Sequence, residues 1–167
     1  TSAVSDYNGD MRDDFAVFRS GAWFVLYDNG AVEVKHWGQA GDVAVPGDYD
    51  GDNHADIAIW RPADGTWWIL YSGFAFGWAN DYYGAIQWGL PGDIALPFDF
   101  DGDGRLDLAV WRPSNGTWYI RSTVSGEATA IQWGLPGDIP TYGDFDGDHF
   151  NDLAVFRPAN GTWYIRY

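Results

Sequence analysis

The chain has 167 residues and a formal net charge of −15, with 24 acidic against nine basic side chains, and no cysteine. That length suits a single domain, taken here as residues 1–167, and the acidity argues against nucleic acid and anionic membrane as partners. Disulfides cannot staple the fold, and no apolar run is long enough to insert into a membrane; with no signal peptide recognisable, the chain reads as mature or excised.

In chain order, the first residues (Thr1 to Ser5) read as the stub of a strand, followed by a loop carrying Asp6, Asn8, Asp10 and Asp14. An apolar strand runs from Asp14 to Arg19, a short Ser20-Gly21 turn follows, and strands starting at Trp23 and ending at Trp37 complete the unit. The pattern then recurs. Its loops carry Asp48, Asp50, Asp52 and Asp56, then Asp99, Asp101, Asp103 and Asp107, then Asp144, Asp146, Asp148 and Asp152. The apolar strands end at Arg61, Arg112 and Arg157, and Asp-Gly or Asn-Gly turns at Asp64, Asn115 and Asn160 lead into strands at Trp67, Trp118 and Trp163. Further strands end at Trp88 and Trp133.

From first acid to first acid the repeat periods are 42, 51 and 45 residues, the range of propeller blades. The fold class predicted is all-β: a β-propeller of four-stranded antiparallel blades, with repeats at about 1–41, 42–92, 93–137 and 138–167, the last lacking its outer strand. Inner strands apolar on both faces imply burial on both faces. Fifteen strands are expected, and the unpaired outer edge leaves open whether four blades close alone or a homodimer completes a larger propeller.

Each loop places oxygen donors at positions one, three, five and nine around a glycine at position four, the arrangement that wraps a hard cation. Fifteen of the sixteen donor positions are Asp and one is Asn8. Magnesium, which keeps its waters and wants a strict octahedron, suits such a loop less well than calcium, so up to four Ca²⁺ are predicted. They would offset about half of the net charge and add stability by preferring the folded loops.

These loops, the following D-[LI]-A-[VI]-[WF]-R strands and the G-T-W-[YW]-I strands resemble the FG-GAP/VCBS repeat family, the calcium-loop propellers of integrin α-subunit heads and of fungal and bacterial lectins. The resemblance covers nearly the whole chain. It implies Ca²⁺ between the first and second strands of each blade, with the backbone carbonyls of Arg12, His54, Arg105 and Phe150 as extra ligands at position seven and weaker binding at the Asn8 copy. Millimolar extracellular calcium makes secretion the expected setting, and the resemblance implies functions that span adhesion, sugar binding and scaffolding within larger secreted enzymes.

Ten of the eleven tryptophans occupy repeated positions and are expected in the core or between blades. Trp78 lies in an insertion of the second repeat with Asn80, Asp81, Tyr82 and Tyr83, the composition of an adaptable ligand loop, and by topology the loop should neighbour the calcium sites. Arg19, Arg61, Arg112 and Arg157, with Asp42, Asp93 and Asp138, are expected to pair across adjacent blades, a repeated sugar pocket being the lesser alternative. His54 and His149, inside the loops, are expected to face solvent. The spare acids Asp28, Glu33, Asp81 and Glu127 are dispersed, so the chain is not read as an enzyme. The function predicted is a non-catalytic binding module for carbohydrate or glycoprotein, the alternative being an assembly or adhesion domain.

Overall fold

The computed structural model describes residues 5–72 and 83–167, so all of the first-strand stub but Ser5 lies outside the described residues. It is all-β, with fourteen strands and no helix among them. Sheet I holds β1 (Phe15–Arg19), β2 (Ala22–Leu26) and β3 (Val32–His36). Sheet II holds β4 (Val43–Ala44), β5 (Ile57–Arg61), β6 (Thr66–Leu70) and β7 (Tyr83–Gln87). Sheet III holds β8 (Ile94–Ala95), β9 (Leu108–Arg112), β10 (Thr117–Arg121) and β11 (Ala128–Gln132). Sheet IV holds β12 (Ile139–Gly143), β13 (Asp152–Arg157) and β14 (Thr162–Arg166). Each sheet is an antiparallel meander of consecutive strands. The chain divides into two compact units, Thr1–Gln87 with sheets I and II and Trp88–Tyr167 with sheets III and IV.

Turn chemistry sets the register. Between β1 and β2, Ser20 and Gly21 both take positive φ (47° and 88°), the two-residue hairpin geometry whose twist matches the strands. The longer turns close with the N–H of Gly65, Gly116 or Gly161 donating to the carbonyl of Arg61, Arg112 or Arg157 at 2.8–2.9 Å. Asp64, Asn115 and Asn160 then accept the N–H of the threonine two residues on. Local turn bonding therefore accounts for these Asx-Gly-Thr triplets.

In the first unit one face of sheet I, with Trp23 and Val25 beside Ala16 and Phe18, packs on Ile57, Ile59 and Leu70 of sheet II. In the second unit Ala109, Trp111, Trp118 and Ile120 of sheet III pack on Leu153 and Val155 of sheet IV. Such fully buried side chains contribute roughly 1.5–3 kcal/mol each. The inner strands β5, β9 and β13 are buried on both faces, but β1 is not: Phe15 and Val17 are 77% and 53% exposed. The expectation of two-sided burial fails there, because within the first unit only the Trp23 face of sheet I meets another sheet.

The tryptophans join these layers by polar as well as apolar contact. Trp37, after β3, donates its indole N–H to the Trp68 carbonyl of sheet II at 3.1 Å; Trp133, after β11, donates to the Tyr164 carbonyl of sheet IV at 3.2 Å. Trp88 does the same to Tyr119 within the second unit. Trp163 departs from the pattern, at 56% exposed. The chain turns directly after Trp133 at Gly134, whose φ is 133° and where a Cβ would press on Trp111 and Val155.

Arg61, Arg112 and Arg157 pair with the predicted aspartates but within a sheet rather than across sheets, whereas the Arg19 guanidinium lies 6.0 Å over the Phe24 ring. Val43 lies opposite Trp60, which brings Asp42 beside Arg61. The guanidinium then forks onto the carboxylate with two bonds of 2.9 Å. Arg112–Asp93 and Arg157–Asp138 repeat this at 2.8 Å. Each carboxylate also accepts a backbone N–H from Gln39, Leu90 or Leu135, so it is committed to structure and the sugar-pocket alternative loses its acids.

The Arg157 bonds hold the Asp138 carboxyl below the usual range. A depressed folded-state value means that this group stabilises the fold above about pH 4 and that the contribution is lost as pH falls through the lowered value. Thermal melts between neutral and acidic pH should show a shallower acid loss in Asp138→Asn than in wild type, and equal slopes would contradict the pairing. Gly116→Ala should destabilise more than Gly30→Ala in urea titrations. Both sites have positive φ, costing about 1–2 kcal/mol for an L-residue, but only the added Cβ at Gly116 would collide with the Gly134 carbonyl.

Candidate metal centres and an aromatic cleft

The four acidic loops lie at equivalent places, three of them between the first and second strands of a sheet and the first immediately before β1. Their backbones are folded by the acids themselves. The carboxylate at position one (Asp6, Asp48, Asp99, Asp144) accepts the N–H of the glycine at position four at 2.6–2.7 Å. Its second oxygen accepts the N–H of position six. That sixth position has positive φ in every copy: Met11 68°, Asn53 66°, Gly104 88° and His149 76°. The carboxylate at position nine (Asp14, Asp56, Asp107, Asp152) is buried and accepts the N–H of position two.

In the second, third and fourth loops positions one, three and nine converge. Asp48, Asp50 and Asp56 offer ligand oxygens within 4.8 Å of one another, as do Asp99, Asp101 and Asp107, and Asp144, Asp146 and Asp152. At an effective dielectric of about 20, each such like-charged pair costs on the order of 3 kcal/mol, a large share of a domain's net stability. Burial, with Asp50 and Asp48 nearby, raises the Asp56 carboxyl to about 7, although backbone bonds from Ser72 and Tyr49 oppose it. Burial raises Asp107 to about 6. The donor set is all carboxylate oxygen, and the three clusters fit a hard divalent cation that would hold these acids ionised.

The first loop differs by one group. Asn8 takes position three and turns its amide N–H towards Asp14 Oδ1 at 3.5 Å, so a neutral donor stands where the other loops have a third carboxylate. Position five stands apart from the clusters. Asp10, Asp52, Asp103 and Asp148 instead accept the N–H of position seven, from Arg12, His54, Arg105 and Phe150. Of those four, Arg12 is exposed and pairs with Asp28, while Arg105 is half-buried.

Neighbouring loops touch within each unit. The His54 ring covers Gly9 and the Phe150 ring covers Gly102, leaving no room for a Cβ at either glycine. The Ala55 N–H donates to the Asp6 carbonyl at 2.7 Å and the Asn151 amide to the Asp99 carbonyl at 3.1 Å. His54 is thus half-buried against its neighbour rather than solvated, whereas His149 is exposed.

Two hydroxyl residues escaped the sequence reading. Ser72 donates its N–H to Asp56 Oδ1 at 2.8 Å and its hydroxyl to Asp52, and Thr123 donates its N–H to Asp107 Oδ1 at 3.2 Å. Both lie two residues past the third strand of a sheet, and Asp28 stands at the same place after β2; that alignment was the available signal. Through Ser72, the loop after β6 starts beside the second acidic loop.

Of the predicted ligand-loop residues, Trp78, Asn80, Asp81 and Tyr82 lie outside the described residues, and Tyr83 opens β7. Tyr83 is half exposed, with its ring centroid 5.6 Å from Trp37 and 6.4 Å from Trp68. These rings, with Gly38 and Arg61, line a cleft of about 340 Å³ in the first unit. The Arg61 guanidinium lies 5.2 Å over the Trp68 ring, and the Trp68 indole N–H is shielded without a partner among the described residues. Of the spare acids, Glu33 is bonded by the Tyr27 hydroxyl and Lys35, and Asp28 by Arg12.

Chelation by EDTA is expected to lower the melting temperature measured by calorimetry, and excess divalent cation to restore it. A ligand at 100 times its Kd contributes about 2.7 kcal/mol per site. An identical melt in chelator and in cation would mean that the clusters hold no metal.

A family model described as FG-GAP-like repeat matches residues 48–110 and 99–155, which span the second, third and fourth acidic loops. No curated protein and no solved structure matches the chain. Among the described residues, no helix is long and apolar enough to cross a membrane. Matched over more than half its length, and on the segments that carry the acidic loops, the chain belongs to the FG-GAP-like repeat family.

Proposed function

We propose that this chain is a secreted, calcium-stabilised β-propeller module that binds carbohydrate without catalysis. What carries the carbohydrate reading is the cleft of Trp37, Trp68 and Tyr83. Its apolar ring faces suit the C–H faces of a sugar, and the Arg61 edge is a donor suited to hydroxyl oxygens. The cleft size is that of a small-ligand pocket, able to take one or two sugar rings. In the sequence, the insertion that holds Trp78, Asn80, Asp81 and Tyr82 ends directly before Tyr83.

Calcium is the cation favoured for the three carboxylate clusters, because flexible carboxylate loops accept its long, irregular coordination and magnesium demands a stricter shell. The Asn8 loop is the weaker fourth site. A bound ion would neutralise the crowded acids; the chain's own residues hold the loop shape in advance, through the glycine and position-six N–H bonds to position one. The sheets, each an antiparallel meander and packed face to face in pairs within each unit, are the parts from which propellers are built. A second reading, an assembly or adhesion module, is favoured by the exposed apolar face of sheet I.

Glycan-array screening in calcium, followed by titration monitored by tryptophan fluorescence, tests the first reading. Tyr83→Ala is expected to weaken binding at least tenfold, or about 1.4 kcal/mol, while leaving the melting temperature nearly unchanged because the side chain is half exposed. Absence of any glycan binding, or binding indifferent to Tyr83, would remove it.

A further inference from the structure

The repeat supplies its own control for which side chains the fold requires. On the outer strand of a sheet, register places Ile86 opposite Trp67 in sheet II and Ile131 opposite Trp118 in sheet III, and Ile131 packs on the core of its unit. Sheet I has Lys35 at this place, opposite Trp23. Two residues earlier, on the same side of the strand, sheets II and III have Gly84 and Thr129, and sheet I has Glu33 opposite Val25. Lys35 is the single lysine of the chain. The two side chains are 19% and 33% exposed, and the ammonium lies 3.3 Å from the carboxylate. Half-burying charges costs free energy that an isoleucine at the same place does not. Packing therefore does not explain the pair, because the repeat closes at two equivalent places without it.

The pair borders the aromatic cleft. A second cleft, of about 470 Å³, is lined by Val34, Lys35, His36, Trp37 and Leu70, and Trp37 is also a wall of the cleft that holds Arg61, Trp68 and Tyr83. One indole thus stands between a cleft walled mainly by rings and a cleft that opens on Lys35. The Glu33 carboxylate is fixed beside that lysine: the Tyr27 hydroxyl donates to one oxygen at 2.5 Å, Lys35 approaches the other, and the Tyr27 ring is packed on the core of the unit.

A donor and an acceptor held side by side match two neighbouring hydroxyls of a pyranose ring. The ammonium donates to one hydroxyl oxygen, and the next hydroxyl donates to the carboxylate. Charge narrows the class further. Lys35 is offset by Glu33 and Arg61 by Asp42, so these four groups add no net charge along the two clefts, and the chain as a whole carries −15. A neutral ligand suits them better than one bearing carboxylate or sulfate. Resting on the reading of the Trp37–Tyr83 cleft as a sugar site, we propose that Lys35 and Glu33 form a second subsite across Trp37, which makes the ligand a neutral oligosaccharide that spans both clefts.

The test titrates wild type, Lys35→Ile and Tyr83→Ala in calcium, by tryptophan fluorescence, with neutral gluco-, manno-, galacto- and N-acetylglucosamine oligosaccharides of one to four rings. Oligogalacturonides of the same lengths serve as the acidic counterpart. In wild type, affinity for one neutral series is expected to rise at least tenfold between one ring and three, since hydrogen bonds to charged groups contribute roughly that factor or more. In Lys35→Ile, which installs the residue that sheets II and III carry, this gain with length is expected to vanish. Should that variant fail to melt cooperatively, the double variant Glu33→Thr with Lys35→Ile, the pair found in sheet III, replaces it. A gain with length that survives in Lys35→Ile, or no gain in wild type, overturns the second subsite while Tyr83→Ala still reports on the aromatic cleft. Tighter binding of the oligogalacturonides than of every neutral series overturns the neutral class. Binding of no saccharide at all removes the sugar reading of the aromatic cleft and this proposal with it.

Discussion

An inner strand with apolar side chains on both faces cannot be stable in an isolated sheet, and everything else in this molecule follows from supplying its two covers. The stretch from Ile57 to Trp60 is almost fully buried, as is that from Leu108 to Trp111. A single sheet could bury only alternate residues of each. Packing sheets face to face in pairs supplies these covers within each unit, and the Phe15–Val17 face of sheet I, which meets no other sheet of its unit, stands exposed. Trp37 and Trp133 serve the same constraint: an indole is large enough to fill the gap between sheets, and its one donor finds a carbonyl on the neighbouring sheet.

The acidic loops meet a second constraint, that of turning sharply into the buried inner strand without leaving backbone N–H groups unpaired. Carboxylates at positions one and nine accept those donors, so the loop's shape is prepared by hydrogen bonds within the chain. The consequence is a cluster of like charges, part of it buried, which a hard cation relieves. Shape and charge are thus coupled, since the groups that fold the loop also create the electrostatic demand for a cation. His54 over Gly9 and Phe150 over Gly102 extend the coupling from one loop to the next inside each unit.

How far the sequence can be read depends on the range of the interaction concerned. Strand positions, the meander and the acidic loops rest on contacts between residues close in sequence, and they appear where the spacing places them. The Arg–Asp pairs were legible as partners but not as neighbours in one sheet, because the register that sets Val43 opposite Trp60 lies in the pairing across the loop. His54 looked like a solvated loop residue because its partner, Gly9, belongs to another repeat. Ser72 and Thr123 went unnoticed because a lone hydroxyl residue carries no pattern until the chain is folded beside Asp56 and Asp107.

The sequence by itself determined the all-β class, the repeat, the inner strands and the carboxylates that crowd each acidic loop, because each of these follows from local spacing and the physics of turns and charges. Only the tertiary structure decided which faces are covered and which stand open, which of the repeated tryptophans line a cleft, and how neighbouring acidic loops touch. Phe15 and Val17 show why: they match Ile57 and Ile59 in type and position, and what separates them is whether another sheet lies against them. Burial is a property of the neighbours, and the neighbours are set by folding.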